Sequence, residues 1–254
     1  MSDVEKIVLF AKRVLVEHPT LAILTDIEGT IGDIAFVRNV LFPYARERLA
    51  TFLGSQSTRP EVRAIVEDVR REAGLSSGAD VVKTLEAWID ADKKATPLKA
   101  LQGMIWREGY ESGVLKAHLY DDVVPAFKFW LELGRSLWSY SSGSVEAQEL
   151  YYRYSTAGDV LPMFSGCFDT TIGPKGDPQS YVKIAAKIGL NPRSVGFLSD
   201  APAEVLAANR AGMVAFRIDR GLSPDGVSTD GDGGVVLGSL KRLAELPVLP
   251  HKSS

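Results

Sequence analysis

Four short apolar segments, each followed directly by an acidic or hydroxyl side chain, constrain the fold of this 254-residue chain most strongly. Each segment is apolar through most of its length, which is typical of strands covered on both faces of a sheet. Helical patterns lie at 144–154, 177–188 and 202–211, and such alternation indicates an α/β fold with a doubly wound parallel sheet. The predicted strands are 21–25, 135–140, 194–198 and 214–218.

One long stretch breaks this alternation. It contains no strand pattern, and its helical patterns are separated by glycine, serine and proline breakers. We therefore expect an all-helical cap at 44–118, inserted into an α/β core made of 1–43 and 119–254. The helices predicted within the cap are 44–53, 60–73, 80–91 and 97–110.

Composition and charge narrow the class of partner. Lys and Arg number 29 against 32 Asp and Glu, a net charge of -3, so we expect no nucleic-acid binding, which usually requires a basic excess. The single Cys167 excludes an internal disulfide and a cysteine-rich zinc site, and it favours a reducing, cytoplasmic setting. No apolar run reaches the roughly 18 residues of a membrane span. We expect a monomer that acts on a small molecule away from membranes.

Two terminal segments carry weaker patterns. Val4, Ile7 and Val8 recur at helical spacing, which predicts a short amphipathic helix packed on the body of the protein rather than a secretory signal. Residues 221–234 are rich in Gly, Asp and Ser, which predicts a mobile loop.

Polar residues follow the predicted strands at one edge of the sheet, where ligands of parallel α/β sheets bind. Singly, an Asp or Ser at this place is often only a turn or helix-cap residue. Their joint occurrence, with a lysine in a further loop, instead indicates a site. The candidate residues are Asp26, Glu28, Ser141, Ser142, Lys175 and Asp200.

This combination suits a magnesium ion and a phosphate monoester, because Mg²⁺ prefers oxygen ligands and two or three carboxylates suffice. The metal and Lys175 would neutralise the phosphate, leaving Asp26 to attack phosphorus and form an aspartyl-phosphate that water hydrolyses. Ser141 and the backbone N–H groups of the next helix would hold phosphoryl oxygens. Glu28 would either protonate the leaving oxygen or help to hold the metal.

Several segments resemble a known family. DIEGT, which begins at Asp26, resembles the first motif of the haloacid dehalogenase superfamily, in a form with Glu28 as its third residue. DIEGTIGDIAFVRNVLFPYA at 26–45 resembles the enolase-phosphatase (acireductone synthase) family in particular. Further segments resemble it in the same order: LKALQGMIWREGY at 98–110, YSSGSVEAQ at 140–148, FDTTIGPKGDPQSY at 168–181 and FLSD at 197–200.

The resemblance implies a haloacid dehalogenase-like core, magnesium dependence and a reaction in methionine salvage. The implied substrate is 2,3-diketo-5-methylthiopentyl-1-phosphate, which the family enolises and dephosphorylates to an acireductone. By the same resemblance, Asp26 is the nucleophile. The implied magnesium residues are Asp26, Glu28 and Asp200, and the implied phosphate contacts are Ser141, Ser142 and Lys175.

Two features leave alternatives open. The chain departs from the family pattern at 31–33, where Asp33 adds a carboxylate near the site. A phosphatase for another small phosphoester, or a non-catalytic binding protein on the same fold, therefore remains an alternative. In the cap, three side chains would either meet the apolar thioether of the substrate or pack in the core: Met104, Trp106 and Tyr110.

Overall fold

The computed structural model describes four ranges of the chain. The predicted N-terminal amphipathic helix falls in residues 1–19, outside these ranges. The described residues are 20–76, 80–91, 93–231 and 234–244.

The chain divides into two compact units. One contains Asp33 and the residues before it, together with His118 and the residues after it. The other is Ile34–Ala117. The predicted cap, 44–118, corresponds closely to this second unit, which begins earlier in the sequence, at Ile34, and ends at Ala117.

The described residues of the second unit form helices joined by turns and loops, with no strand among them. A short helical segment, Ile34–Phe36, and a π-helical turn, Val37–Leu41, lead into its first long helix. Proline stands in the first turn of three of its long helices, where a missing N–H costs no hydrogen bond. These helices confirm the four predictions: α1 (Phe42–Ser55), α2 (Pro60–Ala73), α3 (Val81–Asp90) and α4 (Thr96–Glu111).

The core of this helical unit forms from one buried face of each helix. Leu49, Leu85 and Leu101 are fully buried there. Met104 packs against the same cluster, as does Trp106, whose indole N–H donates to the carbonyl oxygen of Leu41 at 2.8 Å. Tyr110 is buried as well. Met104 and Trp106 therefore have packing roles inside the unit.

The first unit is built on one sheet, which in the described residues has seven strands: β1 (Ala22–Thr25), β2 (Ser136–Tyr140), β3 (Phe164–Phe168), β4 (Val195–Ser199), β5 (Val214–Ile218), β6 (Val227–Thr229) and β7 (Val235–Leu237). Their order is β3-β2-β1-β4-β5-β7-β6. Every pair is parallel except β6 with β7. The predicted fold class is confirmed, and β1 is the central strand of the five neighbouring parallel strands β3-β2-β1-β4-β5.

Helices follow the strands. Ser144 and Asp177 cap two of them by accepting a hydrogen bond from a backbone N–H of the first turn. Gly189, in the left-handed conformation at φ 81°, ends the second. The helices are α5 (Val123–Glu132), α6 (Val145–Arg153), α7 (Pro178–Ile188), α8 (Pro202–Arg210) and α9 (Leu240–Ala244).

The four predicted strands and the three predicted helices of this unit are confirmed to within one or two residues. The prediction of a loop over 221–234 is wrong in part, because β6 lies within it. β6 pairs with β7, and the pairing satisfies backbone groups that a loop would leave to water. Strand β3 and helix α5 were not predicted.

Across the described residues, every helix is too short or too polar to span a lipid bilayer.

The close approach at Gly32 generates a stability prediction. A methyl group there would overlap the hydroxyl of Tyr151 and lie 2.9 Å from the carbonyl oxygen of His118. The Tyr151 hydroxyl donates to that same carbonyl, so it cannot move aside without losing the bond. We expect Gly32→Ala to lower the free energy of unfolding by about 1–3 kcal/mol in urea titrations.

The control is Gly54→Ala. Gly54 lies exposed in α1 with open space around its Cα, so this substitution should raise stability by about 0.5–1 kcal/mol. Equal effects at the two positions would contradict the account of the Gly32 contact.

Candidate active site

Asp26 follows the central strand β1 and is 3% exposed. Its N–H donates to the carbonyl oxygen of Leu198 at 2.9 Å, which extends the pairing of β1 with β4. Its Oδ2 accepts a hydrogen bond from the Thr30 hydroxyl at 3.4 Å. Burial raises the pKa of Asp26, and the ammonium of Lys175 opposes that rise. The carboxylate is therefore fixed at the carboxyl edge of the sheet by contacts on both sides.

A tight turn carries the chain away from Asp26. The carbonyl oxygen of Ile27 accepts from the N–H groups of Ile31 and Gly32, at 3.0 and 2.9 Å. Gly29 stands at φ 78°, and a side chain there would overlap the carboxylate of Asp200. Both facts require glycine at this position. The DIEGT segment thus folds back, so that it packs directly against Asp200.

Lys175 lies between two carboxylates. Its Nζ donates to Oδ1 of Asp26, and it lies 2.7 Å from Oε2 of Glu204. The Lys175 side chain is 11% exposed. Burial alone would lower its pKa, but the charges of Asp26 and Glu204 outweigh burial and raise it. The two carboxylates therefore favour the charged ammonium form of Lys175 inside the site.

The loop that carries Lys175 is held by aromatic hydroxyls. Tyr181 donates to the carbonyl oxygen of Lys175 at 2.7 Å, and Tyr140 donates to that of Gly173 at 2.8 Å. Gly173 has φ 148°, and a side chain there would overlap the hydroxyl of Ser180. The loop geometry thus depends on residues of β2 and α7 behind it.

Ser141 lies at the carboxyl end of β2 and is buried. Its Oγ accepts from the N–H of Gly143 at 3.1 Å and donates to Oε2 of Glu28 at 3.2 Å. The structure therefore brings Glu28 and Ser141 together across 113 residues of sequence. Ser142 is exposed, one residue beyond Ser141, on the loop that leads into α6.

Asp200 follows β4, on the other side of β1. Its N–H donates to the Thr30 hydroxyl at 2.9 Å, so Thr30 connects Asp200 to Asp26. Its carbonyl oxygen accepts from Nε of Arg217 at 3.3 Å. Burial raises the pKa of Asp200, and the negative charge of Glu204 adds to the rise.

Glu204 is a site residue that the sequence reasoning missed. It lies in the first turn of α8, and its Oε2 accepts from the hydroxyl of Ser199 at 2.7 Å as well as from Lys175. Its position could have indicated a role in the site, because Glu204 lies four residues after Asp200, in the first turn of the helix that follows β4. Because a helix leaving the strand end points back over that edge, this glutamate faces the site.

The donor set fits a magnesium ion. The Lys175 ammonium contacts Asp26 and Glu204 and also acts on Asp200, and the negative charge of Glu28 acts on Asp26 and Asp200. Among the described residues, no three acidic, His or Cys side chains surround a common point as metal ligands would. Mg²⁺ does not require such a cage, because it usually keeps several waters and binds through one or two carboxylates plus substrate phosphate. The carboxylates are those of Asp26, Glu28, Asp200 and Glu204.

Comparison with known proteins gives related sequences that match most of the chain. A family model described as haloacid dehalogenase-like hydrolase matches residues 20–212. Enolase-phosphatase E1 of Klebsiella pneumoniae is 50% identical over 202 residues, which cover 79% of this chain and 88% of that protein. Enolase-phosphatase E1 of Azotobacter vinelandii is 48% identical over 216 residues, 84% of this chain and 93% of that protein. Enolase-phosphatase E1 of Persephonella marina is 48% identical over 200 residues, 78% and 88% of the two chains.

Solved structures give the same fold. The Unknown transcript 4 protein of Saccharomyces cerevisiae superposes with a TM-score of 0.72 at 30% identity, covering 87% of this chain and 98% of that chain. A structure described as a dehalogenase with intermediate complex superposes with a TM-score of 0.54 at 16% identity, covering 91% and 99%. The second likeness concerns the fold alone.

The environment of Lys175 generates a labelling prediction. Amine acylation needs the neutral amine, so a buried lysine with a raised pKa reacts slowly. Lys83, whose side chain is 82% exposed, is the internal reference. Near pH 8 we expect Lys175 to be acylated more than about tenfold more slowly than Lys83, since each unit of pKa is worth a factor of ten. Peptide mass spectrometry measures both rates.

A variant tests the cause. Glu204→Gln removes one of the two carboxylates beside Lys175 and should speed its acylation while leaving Lys83 unchanged. Equal rates for the two lysines in the unaltered protein would contradict the buried ion pair.

Proposed function

Because the chain belongs to the enolase-phosphatase family of haloacid dehalogenase-like hydrolases, we propose that it converts 2,3-diketo-5-methylthiopentyl-1-phosphate into an acireductone and phosphate in methionine salvage. The observation that carries the proposal is the buried Asp26–Lys175 pair at the carboxyl edge of the central strand. The relatives support the substrate, since they match most of the chain at 48–50% identity. The site supports a phosphoryl transfer.

Asp26 is the proposed nucleophile. Its Oδ1 and Oδ2 are held by Lys175 and Thr30, so the carboxylate has a fixed orientation before substrate binds. Attack on phosphorus forms the aspartyl-phosphate and releases the alcohol oxygen of the substrate. Water then attacks the phosphorus, and phosphate leaves while Asp26 is regenerated.

Lys175 is the proposed counter-charge for the phosphate. Its ammonium is held by both Asp26 and Glu204, which fixes its position and leaves one of its three N–H donors for a phosphoryl oxygen. An ammonium held in place within a buried site stabilises charge that develops during transfer more strongly than one in water.

Ser141 and Ser142 are the proposed contacts to phosphoryl oxygens. Both lie on the loop between β2 and α6, and the N-terminus of α6 favours an anion. Ser141 accepts from Gly143 and donates to Glu28, so substrate binding exchanges the second bond for one to phosphate.

Magnesium is the proposed cofactor, held by Asp26 and Asp200 with Glu28 near them. The shared negative charge of these carboxylates supports this assignment. When bound, magnesium neutralises phosphate charge and polarises a ketone oxygen, which serves both the enolisation and the transfer. The protein's part is to fix the carboxylates and to exclude water around them.

We propose further that the protein works in the cytoplasm as a monomer, without nucleic-acid or membrane partners. The near-balanced charge of -3 and the single Cys167 support this setting. Light scattering should give the mass of one chain, and twice that mass would contradict the proposal.

The substrate assay is the first functional prediction. With the phosphorylated diketone and Mg²⁺, we expect phosphate release together with an enediol that absorbs in the ultraviolet, and chelation of the metal should stop both. Asp26→Asn should reduce turnover more than about 10³-fold, the scale typical of removing a nucleophile. Asp225→Asn, at an exposed position of the same unit, is the control.

Two outcomes would overturn parts of this proposal. Phosphate release from simple sugar phosphates with no turnover of the diketone would favour the alternative phosphatase function. Full turnover in Asp26→Asn would remove Asp26 as the nucleophile.

Substitution of Glu28 distinguishes proton donation from metal binding. Its bond to Ser141 places its carboxylate beside the proposed phosphate contacts, which favours proton donation to the leaving oxygen. We expect Glu28→Gln to lower kcat by about 10²–10⁴-fold with the Mg²⁺ activation curve unchanged. Glu132→Gln, at an exposed position on α5, is the matched control. Recovery of kcat at high Mg²⁺ would assign Glu28 to the metal instead.

A further inference from the structure

A buried arginine lies at the edge of the sheet opposite the candidate active site. Arg135 directly precedes β2, whereas Ser141 directly follows it. Thr20 lies in the same way before β1, which ends at Asp26. Because the strands are parallel, their amino ends share one edge, and the two residues meet there at the wall of a single small cavity.

Both side chains are buried, and each carries a polar atom without a hydrogen-bond partner. Arg135 is 6% exposed and Thr20 is 4% exposed. One guanidinium amino group, Nη2 of Arg135, is buried without a hydrogen bond, and so is the Thr20 hydroxyl. Within the described part of the chain, no carboxylate forms an ion pair with Arg135. Burial lowers the pKa of Arg135, the direction expected for a cation with no anion beside it.

The rest of the cavity wall is apolar. Side chains of four strand and helix residues line it, and they offer no acceptor to the guanidinium: Ile23, Leu198, Phe216 and Leu243. The cavity has a volume of about 10 Å³, room for one water-sized occupant.

An uncharged occupant of the cavity leaves the buried guanidinium charge without a counter-ion. A guanidinium stays protonated in proteins, and an unpaired buried charge is far more costly than an unpaired hydroxyl. A water would accept a hydrogen bond from Arg135 but would not neutralise it. A monatomic anion would accept from both the guanidinium and the Thr20 hydroxyl and would neutralise the charge, and it is the smallest kind of group that does so. A phosphate or a carboxylic acid is too large for this volume.

We propose that Arg135 and Thr20 bind one monatomic monovalent anion, such as chloride, in the cavity at the amino edge of the sheet. The bound anion links the starts of β1 and β2 to the wall formed by β4, β5 and α9. It is a structural ion, and it stabilises the unit that carries the catalytic residues from the side opposite them.

The test is halide-dependent stability of the full chain. As chloride or bromide replaces gluconate at constant ionic strength, we expect Tm to rise with the logarithm of the halide concentration above its Kd, by about 3–6 °C for each tenfold increase. Arg135→Met should remove this dependence, and Thr20→Val should weaken it. Arg153→Met, at an exposed position on α6, should keep it.

A crystallographic measurement avoids the risk that Arg135→Met fails to fold. In crystals of the unaltered protein grown in bromide, we expect an anomalous peak within hydrogen-bond distance of Nη2 of Arg135. A water or a carboxylate of this chain at that place would overturn the proposal. So would a Tm that follows ionic strength alone, with no difference between halide and gluconate.

Discussion

The buried pair between the Asp26 carboxylate and the Lys175 ammonium is the interaction on which the site depends. It joins two segments 149 residues apart, and both groups are nearly withdrawn from water. Withdrawal of two charges is costly, and such pairs persist only where further hydrogen bonds satisfy them. Here those bonds come from Thr30 to Asp26 and from Lys175 to Glu204. The pair thus stabilises the fold only as part of a larger polar network, and this network is the proposed active site.

The two edges of the sheet carry unbalanced buried charge of opposite sign. At the carboxyl edge, the Lys175 ammonium is outnumbered by nearby carboxylates, and the proposed divalent cation would balance the excess of negative charge. At the amino edge, Arg135 is buried without a carboxylate among the described residues, and the proposed anion would balance its charge. In both proposals an ion from solution completes a charge balance that the side chains leave open.

Most of the sheet and of the candidate site was predictable from sequence, because parallel strands are apolar throughout and ligand-binding groups lie at their carboxyl ends. Asp26, Ser141 and Asp200 were located by that rule alone. Strand β3 escaped prediction because FSGCF is short and contains Ser165 and Gly166, residues with little strand preference. The tertiary structure explains Gly166, since a side chain there would press on the ring of Trp138.

The role of Glu204 and the cavity at Arg135 were not predicted from sequence, for a different reason. A glutamate in the first turn of a helix is common, and only the path of α8 over the sheet edge brings it to Lys175. Burial without a partner is likewise a property of three-dimensional packing, and no local pattern around Arg135 reveals it.

Trapping of the covalent intermediate tests the central claim most directly. After mixing with the phosphorylated diketone and Mg²⁺, acid quenching within the first turnover should leave a phosphoryl group on the peptide that contains Asp26, detectable by mass spectrometry. The account predicts that the group is attached to Asp26 and that it disappears as turnover ends. A phosphoryl group on another residue, or none at any quench time while phosphate is released, would contradict the account.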